Sequence, residues 1–492
     1  MVRLLFMDMI GLAGPIMLTY LLEYLPGVIS IILIGQLNVE GGDMILDATA
    51  MANMYLSITA ISIGFGIATA MDTFASQAVG KTKGLDDSIC NSLLRTYLLT
   101  GVLVLSLAFI PIFFLNFYSS SVLIALQQPR EIAILCEKFV ILMLPGVPGL
   151  YLYELMKKVL QAKHAVGVIL VSAILSNIVN LVVGYYLVYH TPLSWLGAAV
   201  ARTISNMCFP LFLLPEFYRL GLIENSLDSW NMTQAIKGMR DFFALGLSGM
   251  CQWCFEWWAF EVLALLSGLL PNSVEAIGAN AVILNITTST YMLYLGISVA
   301  GSVRIGNSIG AGNGEQAKIV SNLTIIFGMI FSTFVAVLLV VFRKSLPELF
   351  TKDEAIQRLA TKLMIGIAIF QIVDAINACV QGVLRGSGCQ TIGAKMVFVS
   401  YYIIGLPFGA MLALYLQFGV AGLWIGITVG LTMMSIVGSV IICRTDWDSL
   451  ITASKARLTK FTDEKINSSD NHSYRIKDPS SYEAIISNAC AA

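Results

Sequence analysis

The chain has 492 residues, 57% of them hydrophobic and only 12% charged, with a formal net charge of -1. That apolar share exceeds what a soluble core needs and implies an all-α polytopic membrane protein. The near-neutral charge leaves no basic surface for nucleic acid, and the scattered cysteines suggest no metal or redox centre: Cys251 and Cys254 form a C-x-x-C inside an apolar run, where small packing residues are expected.

Runs of about 20 apolar residues bounded by charge or turn clusters predict twelve spans. In chain order they cover 10–37, 45–70, 91–117, 132–153, 165–190, 195–217, 241–270, 276–300, 319–342, 359–384, 391–415 and 419–443. The opening "MVRLLFMDMIGLAGP" runs directly into the first span with no small-residue cleavage site, so it does not resemble a cleavable signal. The longest polar interruption lies between Arg219 and Asp241. It predicts two six-helix lobes, 1–217 and 241–443, joined by a cytoplasmic linker at 218–240, with a disordered tail at 444–492 rich in Ser, Asp, Asn and Lys.

Counting basic residues, including Arg95, Lys157, Lys158 and Arg385 as loop charges, places both termini in the cytoplasm by the positive-inside rule. A shift of 230 residues lays "FGIATAMDTFASQAVGK" (65–81) over "LGISVAGSVRIGNSIGA" (295–311). Gly66, Ile67, Ala70 and Gly80 meet identical residues, and Gln77, a candidate pocket residue, meets Asn307. Each stretch ends the second span of its half, so a parallel duplication is expected. The small residues are expected mainly to let helices approach closely. "GNSIGAGNG" lacks the following Lys-Ser or Lys-Thr of a phosphate loop, which leaves ATP-driven transport without support.

The seventh span carries the puzzle. "CFEWWAFEVLALLSGLL" (254–270) places Glu256 and Glu261 in an apolar run, where a central carboxylate costs about 2.5–3.5 kcal/mol and normally faces an interior cavity. Five positions separate them, about 140° around an ideal helix and about 7.5 Å along it, so two separate roles fit better than one shared proton. A third acid, Asp374, lies in the tenth span. Carboxyls withdrawn from water exchange protons closer to physiological pH, and one such group can hold either a proton or a cation. Trp257, Trp258, Tyr291 and Tyr294 are candidates to line a pocket that stacks planar cations; packing or an interfacial belt is their plain alternative.

Five stretches, "GPIMLTYLLEYLPGVISIILIGQL", "GFGIATAMDTFASQAVG", "EWWAFEVLALLSGLLPN", "GISVAGSVRIGNSIGAGN" and "GVLRGSGCQTIGA", together resemble the eukaryotic branch of the multidrug and toxic compound extrusion (MATE) family. The resemblance extends from about Gly14 to Cys443. It implies two six-helix lobes that alternate between outward and inward opening and export organic solutes in exchange for protons, or Na+ in some members, without a cofactor. It also places the family's principal acid of the seventh helix at Glu261 and that of the tenth helix at Asp374. The first-helix Asp of prokaryotic members corresponds to Ser30, which argues against the bacterial cation site. Glu23 stands where plant-like members commonly carry Gln and is an extra candidate protonatable group. Asn285 replaces the eighth-helix Glu of animal members, so the resemblance is closer to the plant-like pattern.

The expectation is therefore a secondary exporter of organic cations, drugs or secondary metabolites, monomeric, in the plasma membrane or a vacuolar or vesicular membrane. Alternatives are an exporter of citrate or flavonoid conjugates, a lipid flippase of the same superfamily, and, remotely, a membrane transferase, for which only His164 and His190 offer candidate chemistry.

Overall fold

The computed structural model describes residues 2–37, 42–84, 87–223 and 230–459. It is helical in the way the hydropathy requires: in a bilayer every backbone N–H and C=O must be satisfied within the chain. Ten described helices are long and apolar enough to cross a membrane, and Arg130–Met143 with Gly146–Ala162 forms an eleventh span bent by 52°. The remaining predicted span lies in Met232–Ser267, whose apolar run is diluted by Gln252, Glu256 and Glu261. All twelve predicted spans thus have helical counterparts. The first is Val2–Gly35, the second Met44–Lys81, the third Asp87–Phe117, the fourth the bent pair, the fifth Val166–His190 and the sixth Leu196–Arg219. Met232–Ser267 is the seventh; the eighth to twelfth are Ser273–Gly310, Gly314–Val341, Glu354–Ser387, Gln390–Tyr415 and Val420–Arg444.

Local chemistry fixes the boundaries. Within "GNSIGAGNG" the eighth span ends at Gly310 and the turn is 311–313, where Gly312 adopts φ +75°, which glycine tolerates without a Cβ clash. Asn313 then caps the ninth span by accepting from the Gln316 N–H at 2.9 Å, satisfying a free helix-end donor. Asp353 caps the tenth span through Ala355 N–H at 2.8 Å.

The described chain divides into two compact units, but not at the polar linker. The first unit is Leu18–Met250; the second combines Met1–Met17 with Cys251–Thr459. The first and seventh spans are therefore each shared between units. The duplicated glycines show the exchange: a Cβ on Gly66 would lie 2.4 Å from Met250 Cα, and one on Gly296 would lie 2.7 Å from Met17 Cα. Each half thus packs its second-span glycine against the middle of the other half's first span.

Three expectations need correction. The linker predicted at 218–240 is helical from Met232, because the seventh span begins well before its apolar run. The tail predicted as disordered from 444 begins with a helix, Trp447–Thr459. Trp447, Leu450, Ile451 and Leu458 are buried there, and Leu5 and the ninth-span Ala317 and Val320 belong to the same apolar cluster as the first three; residues 460–492 lie outside the described part. Finally, Arg95, Lys157, Lys158 and Arg385, counted as loop charges, are buried within helices.

Candidate functional site

In the second unit the eighth and tenth spans close on each other through small residues. Cβ atoms built on Gly382 and Gly386 would come within 2.3 Å of Ser298 O and 2.4 Å of Ser302 O, so only glycine permits this spacing. Ser298 donates to Ala378 O at 2.5 Å, and Arg385 donates to Ser298 Oγ at 2.8 Å. Two turns before that crossing lies Asp374, buried and facing a cavity of about 170 Å³.

Three helices line this cavity. The seventh supplies Glu256, Trp257, Phe260 and Glu261; the eighth supplies Leu284, Thr287, Thr288 and Tyr291; the tenth supplies Phe370 and Asp374. The spacings are those of single helical faces: 284, 287, 288 and 291, and likewise 370 and 374. Glu256 and Glu261 sit at opposite edges of one face, with Phe260 and Trp257 between them. That is how two acids about 140° apart reach one cavity.

The walls are held from behind. Phe260 meets Phe370 edge-on at 6.4 Å, and Phe370 meets Trp424 edge-on at 5.1 Å. Trp424 is fixed by donating to Asn280 at 3.0 Å, and Trp257 stacks on Trp253 with rings 6.1 Å apart. On the same helices Gln252 hydrogen-bonds Gln381, and Thr290 donates to Gln371 at 2.8 Å.

The carboxyls differ in their support. Glu256 stands beside the Tyr291 hydroxyl and within reach of the Arg385 charge. Glu261 and Asp374 have neither a hydrogen bond nor an ion pair among the described residues, and no lining residue is basic. A carboxylate taken from water needs a counter-charge, a donor or a proton. Among the described residues Glu261 and Asp374 have no counter-charge and no donor.

The predicted residues divide accordingly. Glu256, Glu261, Asp374, Trp257 and Tyr291 are brought together. Trp258 is 37% exposed and faces elsewhere, one residue and about 100° from Trp257. Asn285 is exposed and donates to Ala281 O, being one position off the 284/287/288/291 face. Tyr294 is wholly buried in the apolar core against Phe331. Gln77 is buried in the first unit and lines no part of this cavity. Sequence reasoning missed Phe260, Phe370, Leu284, Thr287 and Thr288. Their only signal was helical spacing from the acids, and a packing residue gives the same signal.

Glu23 lies in the first unit, within a buried ion network no sequence pattern disclosed. Lys157 Nζ sits 2.9 Å from Glu23 and 2.6 Å from Glu154; Lys158 Nζ sits 2.8 Å from Asp72 and 3.5 Å from Glu154. Tyr153 donates to Glu23 at 2.6 Å.

Residues 15–186 and 250–411 match the MatE family. The chain is 32% identical over 464 residues to multidrug and toxin extrusion protein 1 of Danio rerio, covering 93% of this chain and 76% of that protein. With the Mus musculus protein of the same name it shares 31% over 461 residues, covering 94% and 79%. The chain belongs to the MATE family. Among solved structures, the eukaryotic MATE transporter AtDTX14 matches with a TM-score of 0.85 at 28% identity, over 93% of this chain and 99% of that one. The Vibrio cholerae MATE transporter VcmN in its bent form shares the fold, with a TM-score of 0.76 at 16% identity over 93% and 99%. Like other MATE proteins, this chain is a secondary transporter in a membrane and not an enzyme, and it needs no cofactor.

Proposed function

We propose that this MATE protein exports organic cations in exchange for protons, and that Glu261, Asp374 and Glu256 carry the coupling. The observation that supports this most is the cavity itself: three carboxyls, two of them without a partner in the described chain, between aromatic walls with no basic residue. A cation neutralises a desolvated carboxylate, and the faces of Trp257, Phe260 and Phe370 add an attraction of about 0.5–2 kcal/mol. A proton neutralises the same carboxylate. Because the two compete for one negative charge, an inward proton displaces an outward cation, which is the minimum needed for antiport.

The sign of the pH effect follows. Lowering pH fills the carboxylates with protons, so apparent cation affinity falls as pH falls. The slope of log affinity against pH counts the protons displaced. Na+ is the weaker candidate, since a hard cation wants several oxygen ligands, and this cavity offers mainly aromatic and aliphatic side chains beside its acids and threonines. A plant-like rather than animal-like member remains our reading, on the strength of Asn285.

Flux into proteoliposomes under an imposed pH gradient, against a panel of organic cations and anions, tests this reading. Uptake of a planar cation is expected to follow the pH gradient and to vanish when it is collapsed. Export driven by Na+ alone, or exchange of citrate without any cation transport, would refute it.

A further inference from the structure

Another basic side chain of the first unit is treated differently from the two lysines. Lys157 and Lys158 each stand within 3.5 Å of two carboxylates. Arg202, half-buried in the sixth span, has no carboxylate at ion-pair distance among the described residues and none acting on it from further off. Its Nη1 donates to Asn53 Oδ1 of the second span at 2.9 Å. The guanidinium's other nitrogens are neither bonded to a described residue nor sealed from the space around them. The far side of the same amide is a donor too: Asn53 Nδ2 is buried and makes no hydrogen bond. Glu23, on the same helix as Gly27 and one turn before it, is taken up by Lys157 and Tyr153.

The guanidinium leans inward. Arg202 lies six residues from its helix start at Leu196, about 9 Å along the axis. Asn53 lies nine residues from Met44 and Gly27 eight from Gly35, which are about 14 Å and 12 Å. These three helix ends share one side of the unit, because consecutive spans alternate in direction. An arginine that snorkels to the headgroups turns towards its own helix end. This one is drawn the other way, against the first-span backbone, where a Cβ on Gly27 would lie 3.4 Å from Nη1.

What the arrangement lacks is a negative charge. A guanidinium in an apolar bundle without a counter-ion is costly, and its planar fork matches the two oxygens of a carboxylate. A cation is repelled there, and a neutral acceptor leaves the charge uncompensated. A lipid phosphate belongs at the helix ends, short of this depth. We propose that Arg202 is an anion-binding residue of the first unit, which takes the carboxylate group of a small organic anion. Asn53 is its positioning residue: it fixes one arm of the guanidinium and leaves the others for the ligand. The site is separate from the second-unit cavity and stands whether or not that cavity takes cations.

Binding of radiolabelled benzoate to the purified full-length chain tests this, in a chloride-free buffer with non-ionic detergent. No gradient and no organic cation is present, so failure here leaves the cation reading untouched. Saturable binding is expected for the parent. Arg202→Gln keeps a donor to Asn53 but removes the charge, so affinity should fall by about tenfold or more. Asn53→Asp is the sharper variant, because it puts the missing carboxylate into the protein. It should abolish benzoate binding and leave the thermal midpoint unchanged or higher, and it serves where Arg202→Gln does not yield a monodisperse protein. In nanodiscs, benzoate should bind equally well in phosphatidylcholine and in phosphatidylglycerol. No saturable binding to the parent, or binding that survives either substitution, would overturn the proposal. So would a lowered midpoint in Asn53→Asp, since the pair would then not be short of a negative charge. Benzoate binding suppressed by phosphatidylglycerol would assign Arg202 to a lipid phosphate instead.

Discussion

In the second unit three carboxyls meet a cavity with aromatic walls and no basic lining residue, whereas in the first unit three carboxylates are threaded by two lysines. Both sets are buried in helices of a duplicated scaffold, yet charge is handled in opposite ways. The second unit gives Glu261 and Asp374 no counter-charge among its described residues, whereas the first supplies most of the counter-charge itself. Insertion cost is comparable for each carboxylate, so what separates the two sets is the partner each carboxylate has, not its depth.

The largest expected effect breaks this contrast at its centre. Asp374→Asn or Glu261→Gln should reduce proton-driven cation uptake in proteoliposomes to that of empty liposomes while leaving thermal stability unchanged or improved, because each removes a partnerless carboxyl. Should Asp374→Asn transport normally while only Glu23→Gln fails, coupling would belong to the first unit.

Lys157→Met should do the reverse. It leaves Glu23 and Glu154 facing one another without their cation, a loss of about 3–5 kcal/mol for a broken buried pair, read as a large fall in thermal midpoint in detergent. A Lys157→Met protein as stable as the parent would show that the network is not held by charge pairing.

How much of this the sequence displayed depends on whether a residue's role was set locally or by distant partners. The twelve spans were legible because hydropathy is local, and Glu256, Glu261 and Asp374 were legible because a carboxylate in an apolar run is anomalous wherever it points. Lys157 and Lys158 were not: at the end of an apolar run two lysines look like a span boundary. Their partners, Glu23 and Asp72, lie 134 and 86 residues away. Trp258, Asn285 and Tyr294 lie off this cavity for a different reason. Helical phase decides which residue of an aromatic cluster faces the cavity, and a shift of one position turns a side chain by about 100°. Phe260 and Phe370 are the converse, core-like by type and cavity-facing by phase. The exchange of the first and seventh spans between units was invisible because it depends on which neighbour a glycine touches.

That exchange supplies a prediction in which the halves should agree. A Cβ on Gly66 meets Met250 backbone at 2.4 Å, and one on Gly296 meets Met17 Cγ at 2.5 Å and its backbone at 2.7 Å. Alanine at either position should cost about 1–3 kcal/mol by overpacking, measured as similar losses of thermal stability. A large loss at one position and none at the other would mean that the duplicated motif is not used equivalently.

The smallest expected effect tests what the aromatic walls add beyond charge. Trp257 stacks on Trp253 and lines the cavity beside both seventh-span acids, so Trp257→Ala removes a π-face and leaves every carboxylate in place. The loss in cation binding should be about 0.5–2 kcal/mol, or about two- to thirtyfold in affinity. The slope of affinity against pH should be unchanged, because the number of protons displaced depends on the acids alone. Glu261→Gln should instead flatten that slope. Measuring both variants at several pH values separates the two contributions. A Trp257→Ala protein whose pH slope changes as much as that of Glu261→Gln would mean that the tryptophan acts by positioning the carboxyl. The second unit would then resemble the first, with its acid tuned by a protein partner and not by the cargo.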